Sequence, residues 1–174
     1  MTVDRNGNPW LAGCSGPVST YDVATSQWIS VAGTNACHRG MAIDHDDHAW
    51  VASNSPCGLV EIDVPTRTLV AQHTLAQCST PIGVSVDVDG FVWLVDQQGW
   101  AWKIDPLNVP AMQNIPVAGD HYVYSDMTGG QLKSVTPRRA DRAGTATRTV
   151  YARDSTRTSI RAALRGRMAA SRLP

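Results

Sequence analysis

The sequence predicts an all-β fold, a partial β-propeller of about three four-stranded antiparallel blades with the start of a fourth, followed by a basic C-terminal tail that is not propeller. Three observations predict it. A D-x-x-[GD]-x-x-W motif recurs, its period is about forty residues, and each period holds short alternating stretches separated by turn residues.

The motif reads Asp4-Arg-Asn-Gly7-Asn-Pro-Trp10, then Asp44-His-Asp-Asp47-His-Ala-Trp50, then Asp87-Val-Asp-Gly90-Phe-Val-Trp93. A fourth copy, Asp126-Met-Thr-Gly129-Gly-Gln-Leu132, has Leu in place of Trp. The first Asp residues are spaced by 40, 43 and 39 positions, and a second landmark follows each motif as Tyr21-Asp22, Ile62-Asp63 and Ile104-Asp105-Pro106. Repeats are therefore placed near 1–38, 39–80, 81–119 and 120–136.

Within the second period the strands are expected at Met41–Asp44, Ala49–Ser53, Gly58–Asp63 and Thr68–Thr74. Helical repeats would need apolar residues at 3.6-residue spacing, which the repeated segments lack. In such a blade Gly supplies positive φ to the hairpin between the first two strands, the motif Asp bonds nearby backbone amides, and the Trp packs against the neighbouring blade. The motif residues are thus read as structural and not catalytic.

The cysteines repeat as well. Cys14 and Cys57 follow the Trp strand, and Cys37 and Cys78 precede the next blade's first strand, at separations of 23 and 21 residues. Four cysteines allow three connectivities, and the repeat selects Cys14 with Cys37 and Cys57 with Cys78. The competing reading is four buried thiols in a cytosolic protein.

Composition divides the chain near Pro137. Residues 1–136 carry 5 Lys and Arg against 13 Asp and Glu, a net −8, whereas residues 137–174 carry 10 against 2, a net +8, and all six Trp precede the boundary. No apolar run approaches the length of about 18 residues that a membrane-spanning helix needs. Met1 precedes Asp4 of the first repeat so closely that no secretory leader is expected in this sequence; either the chain stays inside the cell or its true N-terminus lies upstream. With paired cysteines, the parent protein is expected to be extracellular or periplasmic.

The Asp, Gly and Trp motif with its later Ile-Asp-Pro resembles the superfamily of streptogramin B lyases and NHL-type propeller repeats, over residues 1 to about 136. The stretch His-Tyr-Val-Tyr-Ser-Asp-Met-Thr-Gly-Gly from His121 also looks like secreted bacterial propellers. The resemblance implies a His and Glu acid/base pair with a divalent metal near the ring's central opening. The one glutamate, Glu61, falls on a predicted strand, so no lyase residue is carried over. Closing a ring takes at least about four blades.

The cluster Asp44-His-Asp-Asp47-His48 could offer cation ligands, yet the matching turns at Asp4 and Asp87 make it the blade hairpin. An EF-hand fails because the twelfth position from Asp87 is Gln98. Candidate ligand contacts are His38 and His121, each before a first strand, with a solvated or backbone-bonded ring as the favoured alternative, and Trp100 and Trp102, which flank Ala101 on one strand face and for which blade-to-blade packing is the favoured use. No metal ligand, cofactor or catalytic residue is assigned.

The tail, residues 137–174, admits three readings. It is a basic helix with Ile160, Ala163, Leu164 and Met168 on one face and Arg161, Arg165 and Arg172 elsewhere, a disordered tail, or the product of out-of-frame translation. The third is favoured because charge inverts where the fourth repeat stops. The sequence thus reads as a piece of a secreted propeller that binds a small molecule, glycan or protein on its ring face, without catalysis of its own. The alternatives are a piece of a lyase-like enzyme whose catalytic blades lie elsewhere and, less favoured, a nucleic-acid or anionic-surface binder acting through the tail.

Overall fold

A computed structural model of the chain describes residues 1–121, which fall within one compact unit. The fourth motif copy (Asp126, Gly129, Leu132), the boundary near Pro137 and the basic tail lie outside the described residues.

Twelve strands form three sheets of four. The first holds β1 (Thr2–Val3), β2 (Pro9–Leu11), β3 (Ser19–Asp22) and β4 (Gln27–Ser30). The second holds β5 (His38–Ile43), β6 (His48–Asn54), β7 (Cys57–Asp63) and β8 (Thr68–Thr74). The third holds β9 (Pro81–Val86), β10 (Val92–Asp96), β11 (Gln98–Ile104) and β12 (Gln113–Asp120), with one 3₁₀ turn at Val109–Ala111 before β12. Each sheet is an antiparallel meander in sequence order, and β1, β5 and β9 pack side by side. First strands innermost and fourth strands outermost is the arrangement of propeller blades.

The motif's chemistry sits in the hairpin between the first two strands of each blade. In blade 1 Asp4 Oδ1 accepts the amides of Asn6 (2.8 Å) and Asn8 (2.9 Å), while Oδ2 accepts the indole N–H of Trp10 (3.1 Å). Asp44 does the same for Asp46 (2.9 Å), His48 (2.9 Å) and Trp50 (2.8 Å). Asp87 repeats it for Asp89 (2.8 Å), Phe91 (3.0 Å) and Trp93 (2.8 Å). The fourth motif position has positive φ in every copy: Gly7 at 83°, Asp47 at 62° and Gly90 at 79°. Glycine reaches that region without steric cost and Asp is among the few other residues that tolerate it, which is why the motif alternates between them.

The second landmark closes the opposite hairpin of the outer strands. Asp22 Oδ1 accepts the amides of Ala24 and Thr25, Asp63 Oδ1 that of Thr66, and Asp105 Oδ1 that of Leu107.

Blades stack through their tryptophans, as the sequence predicts. Trp10 of blade 1 is fully buried with Met41, Ile43, Ala49 and Val51 of blade 2. Trp50 of blade 2 is buried with Val84, Val86, Val92 and Leu94 of blade 3. Blade 2 is covered on both faces, so the central residues of β6 and β7 are buried without alternation, whereas the outer β8 alternates. The backbones of β5 and β9 approach so closely at Gly40 that a Cβ there would collide with the Ile82 carbonyl. Polar ties cross the first seam as well: Arg67 donates to Asp22 at 2.5 Å, and Arg5 pairs with Asp47 and donates to the His45 carbonyl (3.2 Å).

Replacing Asp44 with Ala strands a buried indole donor and two turn amides, and an unsatisfied buried donor costs about 1–3 kcal/mol. Asp44→Ala is expected to lower the urea-unfolding free energy by at least about 2 kcal/mol. The exposed neighbour change Asp46→Ala is expected to shift it by no more than about 0.5 kcal/mol.

Candidate functional site

Both disulfides form as the repeat predicts, Cys14–Cys37 and Cys57–Cys78. They join the loop before the third strand (Cys14) or that strand's first residue (Cys57) to the connection entering the next blade, and so staple one end of the blades. Backbone bonds reinforce that end: Asn54 N donates to Cys37 O (2.9 Å), Gln97 N to Thr80 O (2.8 Å) and Leu75 N to Cys57 O (3.1 Å). Here the connections between blades run, and here the repeats depart from one another.

His38 opens β5 at this end. Its backbone N–H reaches across to Gly13 O of blade 1 (3.1 Å), and that of His121 reaches Gln97 O of blade 3 (2.8 Å). The His38 ring is 2% exposed, with Nε2 at 2.6 Å from the Thr34 carbonyl. A carbonyl only accepts, so Nε2 carries the proton and Nδ1 of the neutral ring presents a lone pair. That Nδ1 has no hydrogen-bond partner among the described residues.

The neighbouring buried Arg39 Nε, Ser53 Oγ and Asn54 Oδ1 likewise have none, nor does His121 Nε2. Ser53 is paired in register with His38 and is 1% exposed. Buried polar groups in folded proteins are nearly always hydrogen-bonded, so several exceptions at one hairpin end make that end a candidate site. The equivalent pair in blade 3 is Pro81 with Asp96, and there the carboxylate is satisfied: Asp96 Oδ2 accepts the amides of Ser79 and Thr80 (2.8 Å each) and Oδ1 that of Gln98 (2.8 Å). Blade 2 has His and Ser where blade 3 has Pro and a backbone-clamping Asp.

The tryptophan candidates are placed elsewhere. Trp102 is completely buried in the core between blades 2 and 3, and Trp100 packs against the same core. Both rings therefore serve blade packing. In the Asp44–His48 cluster, Asp44 holds its turn and Trp50, Asp47 pairs with Arg5, and His48 turns to Glu61. Among the described residues, the grouping of His, Cys, Asp and Glu atoms that converges on one point is Cys57, Cys78 and Asp96, and its two sulfurs are joined in a disulfide.

A second polar group was not anticipated from sequence. Glu61 on β7 accepts from His48 Nδ1 through Oε1 (2.6 Å) and from His73 Nε2 through Oε2 (2.8 Å), and the His73 ring stacks on Trp50 with centroids 5.7 Å apart. Register explains it: Glu61 pairs with Trp50, Asp63 with His48 and Leu59 with His73, so both histidines lie diagonal to Glu61 on one sheet face. Gly58 is required nearby, since a Cβ there would run into the His73 carbonyl. Burial alone would raise the Glu61 carboxyl, but the bonds from His73 and His48 and their positive potential outweigh it, and the net shift is downward. Asp44 goes the other way, because burial outweighs the Trp50 and His48 donors and raises it.

The sequence matches no protein-family model and no curated protein. Solved structures do match. A streptogramin B lyase structure aligns at TM-score 0.58 and 14% identity over 67% of this chain and 39% of its own. A catalytically inactive virginiamycin B lyase from Staphylococcus aureus, with quinupristin, gives 0.58 and 15% over 68% and 41%. The fold is a β-propeller. Further propeller-fold matches are the extracellular domain of BT4673 from B. thetaiotaomicron (TM-score 0.54, 19% identity, 67% of this chain and 18% of that one) and Citrobacter koseri AztD (0.53, 13%, 72% and 39%). At these identities the likeness is one of fold, and the chain spans less than half the length of each of these propellers.

A carboxyl with lowered folded pKa contributes stability that is fully present above its unfolded value, 4.5 for Glu, and is lost as pH falls through the folded value. Glu61→Gln is therefore expected to cost about 1–3 kcal/mol at pH 7. It is also expected to flatten the loss of stability below pH 4.5, read from urea unfolding at pH 7, 5, 4 and 3.

Proposed function

We propose that these blades belong to a ligand-binding propeller that works in an oxidising compartment outside the cytoplasm, without chemistry of its own, and that the disulfide-stapled face is its recognition surface. The observation that carries the reading is the set of buried polar atoms at the β5–β6 end that have no hydrogen-bond partner among the described residues: His38 Nδ1, Arg39 Nε, Ser53 Oγ and Asn54 Oδ1. His38 Nδ1 and Asn54 Oδ1 accept, Arg39 Nε donates and Ser53 does either. Such a set suits a neutral ligand rich in hydroxyl or amide groups, a glycan or a peptide, better than a simple anion. His121, at the equivalent end of blade 3, is assigned to the same face.

Two disulfides support the compartment, since cytosolic thiols are kept reduced, and the extracellular propeller among the structural matches agrees with it. Glu61 holds its two histidines on the second, third and outer strands of blade 2, away from the first strands that line a propeller's opening. Residues 1–121 hold three blades, and closing a ring takes at least about four.

The chain, oxidised and with its fold verified by circular dichroism, should bind members of a glycan or peptide array. His38→Ala and Arg39→Ala are each expected to weaken the best hit at least tenfold while leaving the melting temperature within a few degrees. Binding that is unchanged in both variants, or no hit on either array from folded protein, would contradict the proposal.

A further inference from the structure

The two disulfides repeat, but their surroundings do not. Cys57 and Cys78 are half-buried, and their sulfurs and a carboxylate oxygen of Asp96 all lie within 4.8 Å of one another. Asp96 is 0% exposed. Asp96 is paired with Pro81 as Ser53 is paired with His38, so at the matching place in blade 2 a hydroxyl stands where blade 3 has the carboxylate. Among the described residues, no other three His, Cys, Asp or Glu side chains bring their ligand atoms so close, and the Cys14–Cys37 bond has no such third donor.

Asp96 is fixed in place by the backbone around it. Oδ2 accepts the amides of Ser79 and Thr80, the residues that follow Cys78, and Oδ1 accepts that of Gln98. A carboxylate has about four acceptor positions, so three amides leave one, on Oδ1. With the disulfide opened, two sulfurs and that oxygen form a donor set of two thiolates and one carboxylate. Thiolates with one oxygen donor suit zinc and its heavier congener cadmium, whereas calcium and magnesium take oxygen ligands. Three protein donors leave the fourth tetrahedral position to water or another ligand.

We propose that Cys57, Cys78 and Asp96 form a redox-switched site for a thiophilic divalent cation of the zinc kind, closed as the disulfide and open as the dithiol. A dithiol reductant supplies the two electrons and two protons that turn the bond into two thiols, and is itself oxidised to a disulfide. The cation then displaces both protons as the sulfurs bind it as thiolates. In an oxidising compartment the closed form prevails, so the ion is held only before the bond forms or after a reductant opens it. Metal capture here needs nothing of the recognition surface around His38.

The test uses the full 174-residue chain, reduced with a phosphine that is then removed under nitrogen, with blade content followed by circular dichroism. Alkylation by iodoacetamide is mapped by mass spectrometry. With one equivalent of cadmium(II), Cys57 and Cys78 should be spared while Cys14 and Cys37 are labelled, and calcium in its place should spare none. Asp96→Asn should weaken cadmium binding at this pair at least about tenfold, read from the thiolate-to-cadmium charge-transfer band in the ultraviolet. Because that variant loses part of the loop clamp, the double variant Cys14→Ser, Cys37→Ser gives a second reading: one cadmium per reduced chain is expected, and none overturns the proposal. Labelling of all four cysteines despite cadmium overturns it, as does equal protection of both pairs, since the carboxylate then adds nothing. Unchanged affinity in folded Asp96→Asn, or a reduced chain that is unfolded with and without cadmium, also overturns it.

Discussion

One carboxylate per blade organises this fold. Asp4, Asp44 and Asp87 each use one oxygen to hold two amides of a tight hairpin and the other to hold an indole N–H six residues on. The first oxygen sets the turn and therefore the register of the inner two strands. The second fixes the orientation of the tryptophan that fills the seam to the next blade. Local turn chemistry and long-range packing are coupled through a single side chain, which explains why the motif tolerates so little variation at its first and last positions and so much between them.

The same coupling makes blade 2 the best-covered part of the molecule. It receives Trp10 on one face and offers Trp50 on the other, so its inner strands are buried on both sides while its outer strand stays half solvated. Variation among the blades falls at places the clamp does not use. One is the disulfide-stapled end, where blade 2 has His38 and Ser53 against Pro81 and Asp96 in blade 3. The other is the third-strand position opposite the tryptophan, which is Thr20, Glu61 and Lys103 in turn. In blade 3 the Lys103 ammonium lies 4.1 Å from the Phe91 ring centroid, whereas in blade 2 Glu61 gathers two histidines.

Most of the architecture was legible in the sequence because repetition amplifies weak signals. Strand positions, the paired cysteines and the seam role of the tryptophans all follow from aligning the copies. The bond from the motif Asp to the indole was not read, although the six-residue spacing carries it, because a hydrogen bond between side chains depends on how tightly the hairpin turns. Glu61 was set aside as a strand residue, and its partners become visible only once the register fixes which residues of β6 and β8 lie diagonal to it. For Trp100 and Trp102, alternation puts both on one face, and the blade packing favoured from sequence is the use observed. For His38, the sequence offered a ligand contact or a solvated or backbone-bonded ring, and the ring is bonded to the Thr34 carbonyl four residues earlier.

Exchange of the indole protons tests the central coupling most directly. In solution NMR at pH 7, the Nε1 protons of Trp10, Trp50 and Trp93 should exchange with solvent orders of magnitude more slowly than that of exposed Trp28. Asp44→Asn should accelerate exchange most at Trp50. Free-rate exchange at Trp10 and Trp50 in a folded protein, or an Asp44→Asn spectrum in which Trp50 is as protected as before, would show that the carboxylates do not hold the seam.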